Sequence, residues 1–219
     1  MIKLSTETVS LLKNFAQINQ NLLFKEGNRL ETISPQKNIL AFVGITETFP
    51  QEFGIYDLNK FLGALSLFNG PELEFGEKSL SMDGKLDYVF ADTTMLITPP
   101  EKELVLPDTE VNFKLTETDF SQTTKAAAVL GLPHICVEGK DHVLSLVATD
   151  VNNSGSDVYR TKLDKVKHNF NLVFKIENFV KLFPGDYQVW ITFKGVCKFA
   201  HLVQNLHYFI ATEADSTFD

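Results

Sequence analysis

IYDLNKFLGALSLF, residues Ile55–Phe68, reads as a short amphipathic helix, and the chain repeats it. At Val173–Phe183 the sequence is VFKIENFVKLF, with apolar and polar classes in the same order. With Leu58 set on Ile176, Ile55/Val173, Tyr56/Phe174, Phe61/Phe179 and Leu62/Val180 all agree in class. A second echo precedes each copy. KNFAQINQNLLFKEG (Lys13–Gly27) and KAAAVLGLPHICVEG (Lys125–Gly139) share one lysine-to-glycine spacing, and each reads as a helix, an apolar strand and an acidic-Gly turn. Two echoes in the same order argue for an internal duplication.

The stretches between these helices have strand composition: LAFVGITETF, LSMDGKLDYVFADTTMLI, HVLSLVATDV, YQVWITFKGVCKF and LHYFIATE. Asp83-Gly84 and Lys194-Gly195 punctuate them as hairpin turns. Each half is therefore expected to run helix, strands, helix, strands. That is an α+β architecture in which helices cover one face of an antiparallel sheet. TPPEKELVLPDTE, Thr98–Glu110, lies between the halves, and its three prolines exclude a helix or a central strand. The expected domains are residues 1–104 and 105–219, with a connector at about 98–110. The apolar island Leu104-Val105-Leu106 inside that connector is unusual for a plain linker and points to a partner.

The exposed helix stripes carry the functional information, because the apolar stripes only fix the helices to a sheet. In the first helix, capped near Ser5, Leu4, Leu11, Leu12 and Phe15 face inward, leaving Thr6, Ser10, Lys13 and Gln17 outside. In the second, with Asp57 as N-cap, Leu58, Phe61, Leu62 and Leu65 go in, while Lys60 and Ala64 stay out. The third turns Phe120, Ala127 and Leu130 inward and Ser121, Lys125 and Ala128 outward. The fourth is expected to bury Ile176, Phe179, Val180 and Phe183 and to show Lys175, Asn178 and Lys181. Each helix thus presents at least one lysine among small polar groups. Such a surface suits loose contact with phosphates and does not suit base reading.

Net charge opposes that reading at first sight. The 219-residue chain carries −8, so nucleic acid can be met only through a locally basic surface. Cys136 and Cys197 have no metal-type or redox-type spacing and read as buried thiols. The start MIKLSTET has no signal-peptide apolar run and no span-length apolar segment follows, so a soluble intracellular protein is expected. No G-x-x-x-x-G-K-[ST], G-x-S-x-G or H-E-x-x-H motif is present. Asp141-His142 with Glu138 reads as a solvated hairpin, and His134-Ile135-Cys136 lacks a companion ligand pair. An enzyme is not expected. The rival to nucleic-acid binding is a structural or adaptor protein of two similar α+β domains, which leaves the recurring lysines unexplained.

KLSTETVSLLKNFAQIN, IYDLNKFLGALSLF, FPGDYQVWITFKG and the ending ATEADSTFD, in this order, resemble the DNA polymerase sliding clamps of T-even-type bacteriophages. These belong with the proliferating cell nuclear antigen-like family, and the resemblance spans the chain. It implies two duplicated clamp domains per subunit and a homotrimeric ring around duplex DNA, bound without sequence preference. It further implies a clamp loader, a tethered polymerase, no cofactor and no metal, and residence in the cytoplasm of an infected bacterium. Carried over by position, Lys13, Lys60, Lys125, Lys175, Asn178 and Lys181 would face DNA. Leu104, Val105 and Leu106, with Phe209 and Leu40, would form the partner-peptide pocket.

Overall fold

A computed structural model describes residues 1–102, 104–106 and 109–218. Glu103, Pro107, Asp108 and Asp219, three of them in the expected connector, lie outside the described residues. The chain divides into two compact units, Met1–Glu103 and Leu104–Asp219.

In the first unit the order is β1 (Ile2–Lys3), α1 (Thr6–Ile18), β2 (Leu22–Phe24), β3 (Gly27–Ile33), β4 (Ile39–Phe49), β5 (Phe53–Ile55), α2 (Leu58–Ser66), β6 (Glu72–Phe75), β7 (Ser79–Met82) and β8 (Leu86–Val89). Strands β1-β6-β7-β8 form one antiparallel sheet, β3 and β4 form a hairpin, and β2 pairs with β5. β4 alternates buried Ile39, Ala41, Val43 and Ile45 with less covered Leu40, Phe42 and Gly44, the period-2 signature of a strand with one face on the core. The core is phenylalanine-rich. Phe24 stacks on Phe53 with centroids 4.5 Å apart, and Phe49 meets both rings edge-on. Thr93–Met95, read in sequence as strand, is a single 3-10 turn whose Asp92 side chain accepts from Thr94 N.

The second unit runs β9 (Val111–Leu115), α3 (Glu117–Leu130), β10 (His134–Lys140), β11 (Val143–Thr149), β12 (Tyr159–Lys165), β13 (Phe170–Lys175), α4 (Ile176–Phe179), β14 (Tyr187–Ile191), β15 (Val196–His201), β16 (Leu206–Ala211) and β17 (Thr217–Phe218). One sheet is ordered β12-β11-β10-β13-β17, and β9, β14, β15 and β16 pair in succession as β9-β14-β15-β16. Phe174, Phe179 and Phe199 fill its core, with Tyr187 and Tyr208 buried beside them.

The two echoes are related but not identical. Glu26-Gly27 does turn the chain, with Gly27 at φ +111°, whereas Glu138-Gly139 lies inside β10. The turn comes two residues later, at Asp141-His142, where both residues take positive φ as a tight hairpin requires. Cys136 and Cys197 are free and buried. Burial pushes the Cys136 thiol up to about 11 against the opposing Arg160 charge and Asn171 hydrogen bond, and Cys197 up to about 12.

Candidate functional site

The two long helices are held at their N-termini by carboxylates from elsewhere in the same unit. On α1, the Ser5 hydroxyl caps Thr8 N at 3.1 Å. Glu47 of β4 accepts from Ser5 N at 2.5 Å and from the Thr8 hydroxyl at 2.6 Å. Burial raises the Glu47 pKa, but these hydrogen bonds outweigh it and hold the carboxyl below its ordinary range. On α3, Thr116 caps Asp119 N, and Asp186 accepts from Glu117 N at 2.8 Å while pairing with Lys114 at 2.7 Å. Those bonds likewise depress Asp186. A carboxylate at each N-terminus satisfies orphan N–H groups and complements the helix dipole.

So anchored, α1 behaves as its sequence periodicity predicts. Leu11, Leu12 and Phe15 are buried, and Thr6, Ser10, Lys13 and Gln17 are exposed. Leu4 lies ahead of the helix and is half-buried. In α2, Asp57 accepts from Lys60 N at 2.9 Å as the N-cap. The stripe Leu58, Phe61, Leu62 and Leu65 is buried, each side chain contributing roughly 1.5–3 kcal/mol, and Lys60 stays exposed.

On α3, Lys125 and Ala128 are exposed as expected, and Phe120 and Ala127 are buried, but Leu130 is 45% exposed. Gly131, at φ +65°, reverses the chain, so that Leu132 rather than Leu130 covers the helix end, its N–H donating to Ala127 O at 2.8 Å. Thr123 fills the central inward position.

α4 overturns its expectation. Only Ile176–Phe179 is helical, and tight turns through Lys181 and Leu182 follow. One turn cannot sustain a 3.6-residue stripe. Asn178 is therefore 2% exposed, with no hydrogen-bond partner for Nδ2, while Val180 points outward and Leu182 takes the core position. Ile176 and Phe183 are only half-buried. Asn178 cannot present its amide to DNA. Lys175, the last residue of β13, is exposed and lies 3.7 Å from Glu213, and Lys181 is half-buried. Lys13, Lys60 and Lys125 thus stand on helices, exposed, without an ion-pair partner among the described residues.

The residues expected to form a partner pocket separate into two kinds. Leu104 is 41% and Val105 79% exposed in chain that is neither helix nor strand, with Leu106 half-buried. Leu40 is half-buried on β4, paired with Ile33. Phe209 is only 5% exposed, and the Lys198 ammonium sits 5.9 Å from its ring and 5.4 Å from that of Trp190. This row across β14, β15 and β16 was not foreseen. Its signal in sequence was the alternation of Trp190 and Lys198 against buried neighbours.

Residues 5–94 match the family model described as DNA polymerase processivity factor, and residues 112–214 match that of the gp45 sliding clamp, C terminal. The sliding clamp of Vibrio phage KVP40 is 35% identical, the alignment covering 97% of this chain and all of that protein. The chain belongs to the phage sliding-clamp family. The sliding clamp of Enterobacteria phage T4 is 29% identical with both chains fully covered. PCNA from Thermococcus kodakaraensis shares the fold, with a TM-score of 0.70 at 16% identity, covering 97% of this chain and 99% of that one. This sliding clamp is accordingly a non-catalytic DNA polymerase processivity factor of phage replication, associated with DNA and DNA polymerase. Family membership sets aside both the enzyme and the adaptor. No helix among the described residues is long and apolar enough to cross a membrane.

Proposed function

We propose that this clamp acts as a homotrimeric ring that encircles duplex DNA without reading its sequence, is opened by a clamp loader, and tethers the polymerase through a peptide seated on the connector. The setting is the cytoplasm of an infected bacterium, and the domains are residues 1–104 and 105–219. The observation that carries the reading is the repeated helix face: Lys13 and Lys60 in one unit and Lys125 in the other are exposed and unpaired among the described residues, beside small or polar neighbours. Lys175 and Lys181 join them as further cations. Charges presented without Arg or Asn forks hold a phosphate backbone loosely enough for sliding. Exposed Leu104 and Val105 support the connector as the apolar wall of a peptide site. Leu40 and Phe209 are proposed as lesser contributors.

Ring closure has a candidate chemistry in two sheet edges. β8 ends one sheet and β12 ends another. Phe90 N donates to Lys78 O, so the strand alternation turns the N–H groups of Asp87 and Val89 toward the open edge. Ala91, on that same side, already donates to Gly54 O at 2.8 Å. β8 carries Asp87 and β12 carries exposed Lys162, so β8 of one copy can add to β12 of the next with opposite charges meeting. Such a head-to-tail contact closes into a ring when its rotation permits. Native mass spectrometry tests the assembly: three copies of the 24.7 kDa chain are expected, and monomer alone at high protein concentration contradicts it.

A further inference from the structure

In the second unit a groove of about 620 Å³ opens between the start of β9, the β10–β11 turn and the segment joining β12 to β13. Val111 and Val166, both buried, form its floor, and His142, Lys165, Lys167 and His168 its walls. The stretch Tyr159–His168 holds four of the chain's 20 lysines and arginines with one acid, Asp164, in a protein of net charge −8. Of these four, Arg160 is paired with Glu138. Lys165, Lys167, His142 and His168 have no carboxylate partner among the described residues.

The walls are built to stay apart. His142 is fixed in its turn by positive φ and by its carbonyl, which accepts from Val166 N at 3.2 Å. The His168 segment closes over Gly139, where a Cβ would come within 2.6 Å of both the His168 carbonyl oxygen and the Phe170 ring, so only glycine fits. The His168 ring meets Phe193 edge-on at 6.0 Å, and Phe193 packs on Phe218 at 4.7 Å. Glu110, the one carboxylate in the lining, is turned to structure, accepting from Phe193 N at 3.0 Å.

We propose that this groove docks an acidic peptide segment of a partner protein, with carboxylates against Lys165, Lys167 and the two histidines and apolar side chains on the valine floor. Its volume falls in the range of ligand pockets and far exceeds what an inorganic anion fills. An apolar floor under cationic walls fits alternating acidic and apolar side chains. A phosphate backbone, which needs only charge, gains nothing from Val111 and Val166. In a chain of net charge −8, a local cationic patch also concentrates specificity for acidic segments. Lys165 ends β12, the strand proposed above for ring closure, so native mass separates a loss of assembly from a loss of peptide binding.

The probe is a fluorescein-labelled peptide in which glutamate pairs alternate with single phenylalanines, followed by anisotropy on the full chain. Oligothymidylate and inorganic phosphate serve as the other arms. Binding is expected to weaken about tenfold or more in the K165E/K167E double variant, to survive in K165R/K167R, and to fall with salt. On titration, the ring proton resonances of His142 and His168 should move while those of His134, His201 and His207 stay in place. Lys165 ends β12, so native mass and melting temperature are recorded for each variant, and the histidine shifts in wild-type protein localise the site without any substitution. Absent peptide binding, binding unchanged in K165E/K167E, or tighter groove binding of oligothymidylate than of the peptide overturns the proposal.

Discussion

The Glu47 carboxylate accepts from the Thr8 hydroxyl at 2.6 Å, tying the end of β4 to the first turn of α1. Replacing Glu47 by Gln or Ala removes an N-terminal cap of a type worth about 1 kcal/mol, a drop of roughly 2–4 °C in melting temperature for a chain of this size. Its folded pKa lies below the ordinary 4.5. The stability it contributes is therefore present above the unfolded pKa and lost as pH falls through the folded value. Thermal melts over an acid series should show wild type losing more stability than E47Q. Parallel pH curves for the two proteins contradict this role.

Alanine at Lys13, Lys60 and Lys125 together should leave the melting temperature within the range of surface substitutions, about 0.5 kcal/mol per site, and reduce retention on DNA. The slope of log affinity against log salt should become shallower by about one for each phosphate that is no longer neutralised. Lys175 adds less to this effect, since Glu213 already faces it. Asn178 supplies the contrast. N178L should leave DNA retention unchanged and be neutral or stabilising, because it replaces a buried amide whose Nδ2 has no partner. A DNA defect in N178L with unaltered stability contradicts its placement in the core.

Aspartate at Leu104 should weaken binding of the polymerase's clamp-binding peptide by about tenfold or more, without changing the melting temperature, because the side chain is already 41% exposed. Isothermal titration with that peptide measures it. F209A should behave differently, costing stability of the order of 3–5 kcal/mol as a buried aromatic does.

Proline at Val89 removes an edge N–H that points away from β7, so the sheet survives while strand addition from a second copy is blocked. The native mass of V89P should shift from trimer toward monomer, with the circular dichroism spectrum retained. A V89P protein that remains fully trimeric contradicts assembly through this edge.

Helix faces were legible in the sequence where a helix was long enough to average its periodicity. Within α1 and α2 the inward stripes are buried as their spacing predicts, because thirteen and nine residues give several turns of register, although Ala64, expected outside, is half-buried. α4 failed because four residues give only one, and the echo VFKIENFVKLF conceals that Val173–Lys175 is strand. Leu130 was misplaced because Gly131 hands the capping contact to Leu132, a choice made by backbone conformation rather than by pattern. Glu47 and Asp186 escaped notice because each acts on a helix start far along the chain, by 39 residues in the Glu47–Thr8 bond and 69 in the Asp186–Glu117 bond. The basic groove was hidden in the same way, its walls coming from three separate turns and strand ends. The apolar connector was visible at once, since it needs no partner element to be recognised.

The central claim is topological, and a nicked circular plasmid tests it most directly. Clamp loaded onto the circle by the loader with ATP is passed over a sizing column before and after the circle is cut once. The account predicts that clamp stays with the intact circle at a salt concentration that removes ordinary DNA binders, and that it is lost when the plasmid is linearised. Equal retention on circle and linear DNA would contradict encirclement.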